Sequence, residues 1–233
     1  MSFRTLKKEV LKLLTRDDFA SILPRFSDLP ARKAVNPLFS FLYSTDDTVR
    51  WHAVSAMGMV TAGLAEMDRE SARIVMRRLI WNLNDESGGI GWGSPEAMGD
   101  IMARSQGMAR EFYKILVSYI LPHGNFLEHE TLQRGVLWGL HRLAEVAPLL
   151  TQDATPFVRL FLSSKDPYHR GLAACYAGGA QDEEALPSLK KLVQDKTMIT
   201  TYSHLKVKQC RIRDLTEAAI SRIEQRQPPM CPT

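Results

Sequence analysis

Asp46-Asp47-Thr48-Val49-Arg50-Trp51-His52-Ala53-Val54-Ser55-Ala56-Met57-Gly58-Met59-Val60-Thr61-Ala62-Gly63-Leu64 reads as a turn that runs straight into a helix. Ala53, Val54, Met57, Val60 and Leu64 fall on one face at helical spacing, the pattern of a helix that buries one side. The apolar run ending near Tyr43 carries the same period. The quoted stretch is therefore the second arm of a helical pair.

Further along, the pattern returns. Ser71 to Leu83 pairs with Pro95 to Ala103, Arg110 to Leu121 with Thr131 to Ala147, and Thr155 to Leu162 with Tyr168 to Gly178. Aligning the second arms on Arg50, Ser94, Arg134 and Arg170 gives steps of 44, 40 and 36 residues, a period at which helical pairs stack. The expected fold is all-α, a right-handed α-solenoid in one domain. Residues 1–29 form an N-terminal helical cap, 30–195 about four helical pairs, 196–226 a small β-hairpin with a closing helix, and 227–233 a tail. The hairpin is read from partial alternation in Met198 to Tyr202 and Lys206 to Ile212 around Ser203-His204-Leu205.

Asp46-x3-Arg50 with Ala53 and Ala56, and Asp166-x3-Arg170 with Ala173 and Ala174, resemble the turn Asp and second-helix Arg of HEAT repeats, including the short HEAT-like repeats of phycobilin (PBS) lyases. Val35 to Leu42, Asn84 to Met98 and Gly124 to Glu130 resemble strings in a bacterial group of HEAT-like proteins. The resemblance implies the solenoid and brings no activity with it. The second unit departs from the pattern, with Ser94 where the Arg would stand and an enlarged turn before it. On the spacing alone, Asp46 and Asp166 are expected to pair with Arg50 and Arg170 four residues on.

The 233 residues carry 30 Lys/Arg and 26 Asp/Glu, a net charge of +4. From Lys190 onward nine basic and four acidic groups give +5, leaving 21 basic and 22 acidic groups, or −1, in the first 189. A near-neutral body is a poor match for a phosphate backbone, so nucleic acid is disfavoured as a partner. No apolar run reaches the length of a membrane span, and Met1 to Glu9 reads as a charged amphipathic helix rather than a signal peptide. A cytoplasmic protein is expected. Three widely spaced cysteines, Cys175, Cys210 and Cys231, form neither a CxxC pair nor a disulfide framework.

Two turns exceed what joining helices requires. Asn84 to Ser94 contains Gly88, Gly89, Gly91 and Gly93 around Trp92, and Ser94-Pro95-Glu96 reads as a helix start with Ser94 as N-cap. The other runs from Pro122 to Glu130. In a stack these turns share one edge, and enlarged turns on one face of a repeat scaffold are where binding concentrates. Candidate residues are Asp85, Glu86, Trp92, Glu96, Asp100, His129 and Glu130. To these the third pair adds Arg134, Trp138 and His141, part of a stripe at i, i+4, i+7 and i+11 that ends on Glu145 and is expected to face the concave groove.

Bland roles compete for each. Acids in a first helical turn complement the helix dipole, Trp92 can plug a gap between repeats, and Trp51 and Trp81 sit at packing positions. His123, His129 and Glu130 lack a metal-ligand spacing, and His52, His169 and His204 are isolated. The glycine stretch lacks the Lys of a phosphate loop, and Ser87 and Ser94 have no base beside them. Neither a catalytic residue, a metal nor a cofactor is assigned. The leading reading is a non-enzymatic scaffold that binds a protein or peptide through the groove and the central loop edge. Behind it stand a small-molecule or metal site at loops 84–94 and 122–130, and a groove like that of the HEAT-like alkylpurine glycosylases, built on Trp92, Trp138, Asp85 and Arg134.

Overall fold

A computed structural model describes residues 2–84 and 91–225. The cap is α1 (Phe3–Leu14) and α2 (Phe19–Ile22), followed by a 3-10 segment, Leu23–Asp28. Five helical pairs follow: α3 (Ala31–Leu42) with α4 (Asp47–Met67), α5 (Arg69–Asn84) with α6 (Ser94–Arg104), α7 (Gln106–Ser118) with α8 (Glu130–Ala144), α9 (Thr155–Leu160) with α10 (Pro167–Ala180), and α11 (Leu186–Leu192) with α12 (Ile212–Glu224). In the turn of the fifth pair lies an antiparallel hairpin, β1 (Met198–Ser203) and β2 (Lys206–Arg211). The chain is an all-α repeat solenoid with one small hairpin. None of the helices is long and apolar enough to cross a membrane among the described residues.

The second helices α4, α6, α8, α10 and α12 pack against one another in sequence and carry much of the core. α4 is buried nearly all round, from Val49 through His52, Ala53, Val54, Ser55 and Ala56 to Met57, which suits a helix covered from several sides. α6 and α8 meet backbone to backbone. A Cβ on Gly99 would lie 2.4 Å from Gly139 Cα, so both positions exclude a side chain.

Local chemistry sets the helix starts. Asp46 and Asp166 cap α4 and α10, accepting from the backbone N–H of Val49 at 3.0 Å and of Tyr168 at 2.9 Å. His129 Nδ1 does the same for α8, accepting from Thr131 N at 3.2 Å. α6 starts differently from expectation. Its cap is Gly93 at φ 75°, a left-handed conformation that glycine adopts without penalty, and Ser94 is already helical, its Oγ buried with no hydrogen-bond partner.

The expected turn-to-helix ion pairs are also corrected. Arg50 pairs with Asp47 at 2.8 Å. Asp166 instead accepts from Nε of Arg134, one repeat upstream, at 2.7 Å, and Arg170 reaches forward to Asp195 at 2.8 Å. A capping aspartate directs its second oxygen away from its own helix, toward the neighbouring repeat. The Arg134–Asp166 and Arg170–Asp195 pairs thus join repeats, whereas Arg50–Asp47 stays within the first turn of α4.

Across the second helices lies the hairpin, turning back toward the first pair. Tyr202 stacks on Trp51 at 5.0 Å and 10°, its hydroxyl lies 2.8 Å from Ser55 Oγ, and its carbonyl accepts from Trp138 Nε1 at 3.1 Å. At the tip, His204 and Leu205 both have positive φ, 52° and 59°, as a two-residue hairpin turn with right-handed strand twist requires. Neither is glycine, so the tip is strained and held by its packing. His52 is buried there, not isolated. It stacks on Phe19 at 3.7 Å, its Nδ1 lies 2.7 Å from Leu14 O, and its ring meets that of Tyr202 edge-on at 6.3 Å.

Candidate functional site

The hairpin divides the inner face into two recesses, and Trp138 with its partner Tyr202 stands between them. The first opens at the edge, where Trp92 and Gly93 of the enlarged turn meet Thr131 and Leu132 at the start of α8. It is a cavity of about 210 Å³, walled by Trp51, Trp92, Trp138 and Tyr168, with Arg50 and Asp47 from α4, Arg134 from α8, and Thr200 and Thr201 from β1.

Glu96 reaches into this cavity from the first turn of α6. A Cβ at Gly135 would sit 2.7 Å from its carboxylate, so the glycine makes the space that the acid occupies. Carboxylate Oε2 is enclosed with no hydrogen-bond partner. Burial pushes the group up to about 7, against the opposing pull of its own backbone N–H and of the Arg50 charge. Both neighbouring arginines are matched already: Arg50 by Asp47, and Arg134 by Asp166, with the Arg134 guanidinium lying 4.4 Å over the Tyr168 ring.

The second recess, about 360 Å³, lies on the far side of Tyr202 and is polar, with Asp100, Arg104, Arg142, His141 and Glu145 on its walls. Asp100 does not pair with Glu96 four residues earlier. It is buried and clamped between Arg104 Nε at 2.6 Å and Arg142 Nε at 3.0 Å. His141 is held by burial well below its ordinary value, at about 4, with Glu145 pulling the other way. A small hairpin was expected, but not its reach to Trp51 and Trp138, and so the groove is covered along the stripe at Trp138.

Four of the ten predicted residues, Trp92, Glu96, Arg134 and Trp138, converge on the first cavity; Asp100 and His141 face the second. His129 and Glu130 lie apart from both, exposed at the start of α8, where the Glu130 carbonyl is 3.3 Å from His169 Nε2. His169 is therefore a buried staple, not a surface group. Asp85 and Glu86 lie outside the described residues. Trp81, read as packing, is 71% exposed, whereas Trp51 packs on Tyr202 and Trp138 as expected and also lines the cavity. Tyr168, Thr200 and Thr201 were missed; Tyr168 follows the turn Asp166-Pro167 at the position where Thr48 stands in the first pair, a weak signal. Cys175 is pushed up to about 12 by burial, which makes it unreactive. No cluster of three metal-ligating side chains occurs among the described residues.

Comparison with known proteins supports the fold. No family model matches the chain. An uncharacterized protein of Archaeoglobus fulgidus is 29% identical over 119 residues, 51% of this chain and 56% of that protein, so the match spans about half of the relative's length. An engineered protein of known structure superposes over 96% of this chain and 97% of its own with a TM-score of 0.53 at 17% identity. A designed armadillo repeat protein, solved in complex with the peptide (KR)4, does so over 92% and 98% with a TM-score of 0.51 at 15% identity. The chain thus shares the architecture of helical repeat solenoids.

Proposed function

We propose that this chain is a non-enzymatic, HEAT-like repeat scaffold that binds a segment of a partner protein, taking one side chain of that segment into the cavity at Trp92 and Glu96. The observation that carries the reading is the convergence of an enlarged turn, an unpartnered carboxyl and four aromatic rings on one recess at the edge of the stack. Repeat solenoids offer preorganised extended surfaces, and one solved design of this architecture, an armadillo repeat protein, is in complex with the peptide (KR)4. The size fits. At about 210 Å³ the cavity is smaller than the roughly 300–1,000 Å³ typical of sites for free small ligands, yet ample for a single side chain. Trp92 stands at the mouth 37% exposed, as a contact residue would, and the hairpin that covers the inner face directs a bound segment to the edge.

Selection of a random linear peptide library on the purified chain, run in parallel on Trp92→Ala, tests this. Enrichment of a consensus on the native chain that is lost on the variant is the expected result. An equal consensus on both proteins, or none on either, would overturn the reading.

A further inference from the structure

We infer that the side chain taken by the edge cavity is cationic, the ammonium of a lysine or the guanidinium of an arginine, with Glu96 as its counter-ion; this rests on the pocket reading above. The argument is one of charge matching. Arg50 and Arg134 are each charge-matched by a carboxylate, from Asp47 and Asp166, so the recess carries no surplus positive charge to call for an anion. Among the described residues Glu96 enters no ion pair, and its Oε2 is enclosed without a donor. A buried acceptor left unmade is costly, and a charged donor satisfies it best.

The walls agree with the charge. Trp51, Trp92 and Trp138 line the same space, and a cation beside aromatic rings gains electrostatically while its aliphatic stem is desolvated. Thr200 and Thr201 of β1 also line the space, and a threonine hydroxyl there is able to accept an N–H of an ammonium or guanidinium.

Proton linkage follows from the same geometry. Facing Glu96 are Asp47 and Arg50 from α4, Arg134 from α8 and the Tyr168 phenol from α10, while β1 contributes only neutral threonines. Among these groups Glu96 is the carboxyl that burial raises, and its ionisation is the change that couples to the ligand. In the free protein it titrates at about 7. A cation selects its ionised form, so binding releases a proton and tightens about tenfold from pH 6 to pH 8.

The test uses the full chain and its tryptophan fluorescence, titrated with N-acetyl-lysine methylamide, N-acetyl-arginine methylamide and the neutral isostere N-acetyl-citrulline methylamide. The two cations are expected to saturate the signal at concentrations about tenfold or more below citrulline, with the stated pH dependence. Glu96→Gln should erase both the preference and the pH dependence. Citrulline matching arginine, or a cation preference that survives in Glu96→Gln, would overturn the inference. A neutral or acidic consensus from the peptide library that depends on Trp92 would also overturn it while the pocket reading stood. Failure of the library to enrich anything through Trp92 would remove both.

Discussion

Arg134 Nε donates to Asp166 Oδ2 at 2.7 Å across two successive repeats, while Oδ1 of the same aspartate caps α10 through Tyr168 N. One carboxylate thus serves a helix start and an inter-repeat contact at once. Asp166→Ala removes a cap worth about 1 kcal/mol and an ionic hydrogen bond worth about 1.5–3 kcal/mol, so urea denaturation should give a loss of about 2–4 kcal/mol. In a double-mutant cycle with Arg134→Ala, a coupling of about 1–2 kcal/mol is expected. Strict additivity would mean that the pair does not join the repeats energetically.

Tyr202 makes a second separable contribution. Tyr202→Phe removes only the hydroxyl contact with Ser55 and should cost about 1 kcal/mol. Tyr202→Ala empties the space between Trp51 and Trp138 and should cost about 3–5 kcal/mol, as large-to-small core changes do. Thermal denaturation of the two variants side by side checks the ordering.

Two of the three cavity tryptophans should behave oppositely. Trp138 is 5% exposed and donates to the Tyr202 carbonyl, so Trp138→Ala is expected to cost about 3–5 kcal/mol. Trp92, more than a third exposed, should cost about 1 kcal/mol or less in stability while its loss abolishes peptide binding. A large destabilisation by Trp92→Ala with unchanged binding would make it a plug.

Stability should peak in mildly acidic solution. His141 has a folded value of about 4 against an ordinary 6.5, so the unfolded chain takes up its proton first and stability falls as pH drops from 6.5 toward 4. Burial lowers His52 and His169 too, and both act in the same direction. Glu96 has the opposite sign. Its folded value of about 7 lies above the ordinary 4.5, so stability falls as pH rises from 4.5 to 7, by up to about 3 kcal/mol. Glu96→Gln should therefore be more stable than the native chain at pH 8 and about equal to it at pH 4.5. Chemical denaturation at the two pH values measures the difference, and the reverse order would refute the assignment.

Periodicity made the helical pairs legible, because Ala53, Val54, Met57, Val60 and Leu64 must share a face in any helix. The hairpin too was readable from its β-branched residues. Its destination was not: nothing in Tyr202 as a letter points to Trp51, some 150 positions earlier, and the groove was expected open for that reason. The ion pairs failed similarly, since spacing of four favours a local partner whereas stacking brings Asp166 closer to Arg134. Among the candidate residues, Trp92 and Glu96 were found because an enlarged glycine turn is a local signal. Gly135, which makes room for the Glu96 carboxylate, reads in sequence as a weak helix former and reveals its purpose only when α6 and α8 are side by side.

In an open stack each unit touches only its neighbours, so units can be inserted or deleted with little penalty elsewhere. Here the fifth pair sends its turn back to the first, where Tyr202 meets Trp51 and His52, and His52 in turn stacks on Phe19 of the cap. The array has a fixed count. Each added pair would move β1 about 8–10 Å along the stack, roughly one interhelical distance, and carry the Tyr202 ring past Trp51 altogether. Lengthening this protein by a repeat, which an open solenoid tolerates, would separate its two ends and open the wall of its own cavity.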